Sequence, residues 1–141
     1  MASTVLVSGP FERGVVDALR ALEEKHGDLA FAMLHRTLSS PGVWSLTLAA
    51  PWIDRGSRLA TTREVRALLT ANLGSTRGRL GSVLVQSTKD SIIQTLAPLM
   101  TVAELGTAYE YRTLELSFFD IDEAICLLSR PELLKQAASA A

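Results

Sequence analysis

Three apolar runs in this chain each end in a short polar loop, and helix-like sequence follows the first two. This order constrains the fold more than any motif does. The loops are Pro51-Trp52-Ile53-Asp54-Arg55, Ser87-Thr88-Lys89-Asp90-Ser91 and Phe118-Phe119-Asp120-Ile121-Asp122. Helical crossovers would make the three strands parallel and bring their loops together along one sheet edge. That edge is the predicted place for a site.

The chain starts with a helix opened by Gly9-Pro10, where a missing N–H costs little, and carrying Phe11, Val15, Leu19 and Leu22 at helical spacing. Gly27 stops it after Lys25 and His26, which suit the C-terminal end of the helix dipole. Residues 29–37 are apolar on both parities: Leu29, Phe31 and Met33 on one, Ala30, Ala32 and Leu34 on the other. That pattern predicts a strand covered on both faces. After the turn Ser39-Ser40-Pro41-Gly42, a second strand over 43–50 puts Trp44, Leu46 and Leu48 on one face, and the two strands read as an antiparallel hairpin.

Thr61-x-x-Glu64 matches a capping box ahead of the apolar stripe Val65, Leu68, Leu69 and Leu73, with Gly74 as the stop. A third strand has the core Val83-Leu84-Val85. A helix with Ile92, Ile93 and Leu96 follows, and Pro98 must kink or restart it, because proline in mid-helix costs about 3 kcal/mol. A fourth strand is predicted over 109–118, with a change of parity near Thr113 that a bulge would reconcile. The run over 121–129 fits either a helix started by Asp120-x-x-Glu123 or a buried strand. The strand is favoured, because a fourth strand with one apolar face needs a partner. The expected fold is a single α/β or α+β domain over 1–141. It has a mixed sheet of four to five strands, an antiparallel hairpin, parallel crossovers and helices on the sheet, with 1–8 and 131–141 peripheral or frayed.

At 141 residues such a domain buries enough core to need no staple. Its 48% hydrophobic content is globular, and a mean hydropathy of +0.22, on the high side for a small chain, favours a homodimer that hides apolar surface. A net charge of −1 supplies no basic excess, which disfavours nucleic-acid binding. One cysteine, Cys126, and two histidines, His26 and His35, exclude a multi-cysteine zinc site. No signal peptide and no run near the roughly 20 apolar residues of a membrane span are present, so a cytoplasmic location without membrane contact is expected.

The glycine- and arginine-rich stretch over 74–81 follows a helix and precedes a strand, the reverse of a P-loop, and reads as a solvated connection. Residues 87–91 lie before a helix N-terminus, where Thr88 and Lys89 could receive an anion, although Asp90 opposes one, and Thr88 or Asp90 could simply cap the helix. Asp54, Asp90, Asp120 and Asp122 all fall in the predicted edge loops. Converging carboxylates could hold Mg²⁺ or Mn²⁺ for phosphoester hydrolysis, with Lys89 or Arg55 steadying charge, and turn or capping work is the competing use of each. Trp52 could anchor a partner or ligand, or fold back over the hairpin core. Cys126 lies in an apolar run, and His35 near a strand end reads as a surface residue rather than a base. The candidate site residues are therefore Trp52, Asp54, Arg55, Thr88, Lys89, Asp90, Asp120 and Asp122. No cofactor or metal is assigned, and no catalytic set is complete. The reading is a non-catalytic binding or interaction module, with a protein partner or regulatory role left open; the alternative is a metal-dependent phosphoester hydrolase.

Overall fold

Local signals set most helix ends. In the computed structural model, which describes residues 2–7, 9–36, 42–112, 121 and 123–139, helix α1 (Pro10–His26) begins at Pro10. It ends at Gly27, whose φ of 109° lies in the region that favours glycine. Helix α3 (Arg58–Leu73) ends at Gly74, with φ 55°. Its start departs from the sequence reading: Ser57 is the N-cap, accepting from the Ala60 N–H at 3.2 Å. Thr61 instead donates to the Ser57 carbonyl at 2.9 Å from within the first turns. Glu64, freed from any capping role, accepts from Lys25 at 2.5 Å and contacts His26 at 2.7 Å across the α1–α3 pair. The Lys25 ammonium is the main reason its carboxyl titrates below the usual carboxylate range.

The strands are β1 (Ala2–Leu6), β2 (Phe31–Arg36), β3 (Trp44–Ala49), β4 (Leu80–Val85), β5 (Thr107–Arg112) and β6 (Glu123–Ser129). They form one open mixed sheet in the order β1-β5-β6-β2-β3-β4. Every neighbouring pair is antiparallel except β3–β4. The domain is therefore α+β. The antiparallel β2–β3 pair and the β3–α3–β4 crossover follow the sequence pattern, and 123–129 is a strand between β5 and β2. The predicted convergence of three parallel strands is not found. β6 runs with β3, and β5 runs against β6, so β5 points opposite to β3 and β4. The chain after β4 does not return to a neighbouring position. Helix α4 (Ser91–Leu96), a 3₁₀ turn (Ala97–Leu99) that accommodates Pro98, and residues 100–106 carry it across the sheet. There β5 pairs with β6 and with the N-terminal strand β1.

β2 is covered on both faces, as its two apolar parities require. Ala32 and Leu34 join Leu46, Leu48, Val83 and Val85 under α1 and α3. Phe31 and Met33 join Ala124, Cys126, Ile93, Leu96 and Met100 on the other side. Helix α5 (Pro131–Ser139) places Leu134 in that second cluster. The stretch Gly74–Arg79 is a 3₁₀ helix with no buried residue, as a solvated connection requires, and exposed Arg79 lies 4.7 Å over the Phe11 ring.

Candidate functional site

The parallel β3–β4 pair brings the first two polar loops together. Pro51–Asp54 forms a single helical turn, α2, directly after β3. From it, Asp54 Oδ1 accepts from the Thr88 N–H at 3.1 Å, and Asp54 Oδ2 accepts from the Thr88 hydroxyl. Thr88 is fully buried there, and its carbonyl accepts from Gln94 Nε2 at 2.6 Å. Asp90 caps α4, its Oδ1 accepting from the N–H groups of Ile92 at 3.0 Å and Ile93 at 3.2 Å. Both carboxylates thus satisfy backbone donors, the ordinary work of aspartate at such positions.

Of the remaining candidates, Trp52, Arg55 and Lys89 are described. Trp52 stacks on His26 with ring centroids 4.5 Å apart and donates its indole N–H to the Asp28 carbonyl at 3.2 Å, so it fastens α2 to the end of α1. Arg55 and Lys89 are exposed. Asp120 and Asp122 lie outside the described residues. Among the described residues, no three His, Cys, Asp or Glu side chains are grouped to hold a metal ion, and no helix is long and apolar enough to cross a membrane.

A concavity lies on the second sheet face, beside this corner. It is a cleft of about 280 Å³. Its floor is Phe31, Met33 and His35 from β2, Thr47 from β3, and Leu84 and Gln86 at the end of β4. Asp90, Ile92, Ile93 and Leu96 form the α4 wall, and Ile121 closes another side. Leu84 and Ile92 keep 39% and 40% of their surface exposed at its rim.

His35 is the polar centre of the cleft. Its Nε2 lies 2.8 Å from the Thr47 hydroxyl, and burial lowers its pKa below the ordinary 6.5, so the neutral ring prevails at pH 7. Cys126, in contrast, lies beneath the floor with its thiol pushed up to about 12 by burial, so it stays inert. Of the site residues inferred from sequence that are described, Asp90 lines the cleft. His35, Thr47 and Gln86 were missed. The available signal was parity: Phe31, Met33 and His35 share one side of β2.

A pH consequence follows from His35. The unfolded chain takes up a proton near pH 6.5 while the folded ring resists it, so the unfolded state binds more protons below that pH. Stability is therefore full above pH 6.5 and falls as pH drops through it, by at most about 1.4 kcal/mol per pH unit. Chemical denaturation at a series of pH values should show this slope in the wild type and a flatter one in His35→Gln.

Comparison with known protein families, curated proteins and solved structures found no match to the chain.

Proposed function

We propose that this protein is a non-catalytic binding module whose site is the second-face cleft. Its ligand is a small, uncharged amphiphile with an apolar body and one hydrogen-bonding group. The observation that carries this reading is the pairing of an apolar floor and wall with a neutral, part-buried His35 that lines the cleft with Thr47 and Gln86. Concave, mostly apolar sites with a few convergent polar groups are the usual form of small-molecule sites. A neutral imidazole, a hydroxyl and an amide favour an uncharged hydrogen-bonding group over an ion. Asp54 and Asp90 already satisfy Thr88 and the α4 N–H groups, which favours this reading over metal-dependent hydrolysis.

The module acts as a homodimer, consistent with the mean hydropathy of +0.22 and with the exposed Leu84 and Ile92. A reducing, cytoplasmic setting fits a chain whose one cysteine is buried.

Thermal melting against a panel of uncharged amphiphiles (indole, benzamide and medium-chain alcohols) tests the reading. A ligand at five times its Kd adds about 1 kcal/mol, or about 4 °C for a domain of this size. The expected result is a concentration-dependent rise in Tm that Ile92→Glu abolishes, with no rise in Mg²⁺ or Mn²⁺. No rise with any amphiphile, or a rise with either metal alone, would overturn it.

A further inference from the structure

We infer that the homodimer forms by antiparallel pairing of the β4 edge with the β4 edge of a second copy, so that the two clefts flank the molecular two-fold axis. Among the described residues β4 ends the sheet, and past the register shift between Leu80 and Val83 its regularly paired stretch Val83-Leu84-Val85 carries no charge and no proline. Natural edge strands are ordinarily blunted by such residues, and an unprotected edge is a template for another strand.

The register identifies the backbone groups offered. Thr47 pairs with Leu84, and the Gln86 N–H donates to the Leu48 carbonyl at 2.9 Å. The backbone groups of Leu84 and Gln86 therefore face β3, and by alternation those of Val83 and Val85 face the open edge. Arg66 donates to the Gly81 carbonyl at 3.2 Å and bounds the open stretch on its N-terminal side.

An edge with two outward residues flanking Leu84 is self-complementary. With the two-fold axis through Leu84, Val83 of each copy lies opposite Val85 of the other. Each such pair exchanges two N–H···O bonds, and the two Leu84 residues form a close, non-hydrogen-bonded pair on the axis. Leu84 faces the cleft side of the sheet and is 39% exposed, so the pairing covers rim surface left open in one copy. The second copy's Leu84 then extends the rim of each cleft. A charged peptide is a poor match to this edge, whereas an identical uncharged strand fits it in register. The contact is short, so a weak dimer, with Kd about micromolar, is expected.

This inference rests on the homodimer reading above, and the experiment separates the two. Sedimentation equilibrium of the full chain is run from about 1 µM to about 1 mM, the window of a weak interface. It should show a dimer in the wild type and at least about a tenfold higher dissociation constant for Leu84→Lys, which sets like charges together on the axis. Leu84→Cys should form a disulfide-linked dimer under mild oxidation, and Leu59→Cys, at another exposed position, should not. A monomeric wild type overturns both the dimer and the edge pairing. A dimer that Leu84→Lys leaves intact, or that Leu84→Cys fails to crosslink, overturns the edge pairing alone. Crosslinking decides the matter if the lysine variant does not fold.

Discussion

Arg130→Met is expected to lower the unfolding free energy by about 3 kcal/mol, because it removes a cation that ties several elements together. Arg130 Nη1 donates to Glu23 Oε2 at 2.7 Å and to the Leu29 carbonyl at 2.8 Å, and Nε donates to the Ala103 carbonyl at 2.9 Å. Glu23 also accepts from the Leu29 N–H at 2.9 Å. One guanidinium therefore joins the end of β6 to α1, to the start of the strand after it, and to the segment that leads to β5. Exposed ion pairs contribute little, but Arg130 and Glu23 retain only 16% and 17% side-chain exposure. Methionine keeps much of the bulk yet leaves the Glu23 charge with the Leu29 N–H but no counter-charge from Arg130, and takes the guanidinium donors from the Leu29 and Ala103 carbonyls. Lysine supplies one charge but not the fork, so Arg130→Lys should recover less than half of the loss. Urea denaturation of the three proteins measures this directly. A loss below about 0.5 kcal/mol for Arg130→Met would show that the network is replaced by water at no cost.

Phe31→Ala should cost about 3 to 5 kcal/mol. Phe31 is fully buried on a central strand, paired with Ala49 of β3 and Ser129 of β6, and its side chain supports the second-face cluster beneath the cleft. The backbone around it cannot collapse inward, because β2 is held by hydrogen-bonded neighbours on both sides. The void therefore persists and merges with the cleft. Two readings should follow together: a large loss by chemical denaturation, and altered amphiphile selectivity in whatever protein remains folded. Phe31→Leu, which keeps much of the volume, should cost about 1.5 kcal/mol or less.

Local chemistry made much of this fold legible. Alternation on both parities marked β2 as buried on two faces, and Gly27 and Gly74 marked helix ends where positive φ is required. The run over 121–129 was favoured as a strand because a half-apolar neighbour needed a partner, and Glu123–Ser129 within it is one. The misreadings have physical causes. Thr61 and Glu64 match a capping box, but Ser57 offers an equally good cap one turn earlier and Glu64 is taken by Lys25 and His26 from another helix. The direction of β5 is a long-range property. It depends on β1, a five-residue strand whose sequence Ala-Ser-Thr-Val-Leu carries little apolar pattern. Of the edge carboxylates that are described, Asp54 holds Thr88 and Asp90 caps α4. His35 was read as a strand-end surface residue because nothing local reveals that α4 rises beside it and makes a wall.

The central claim is that the second sheet face holds the ligand site, and methyl NMR tests it most directly. The protein, labelled at Ile, Leu and Met methyls, is titrated with the amphiphile that raises Tm most. The expected shifts are confined to Met33, Leu84, Ile92, Ile93, Leu96 and Ile121 around the cleft, with Leu22, Leu46 and Leu69 on the opposite face unmoved. Shifts centred on that opposite face, or none at saturating ligand, would contradict it.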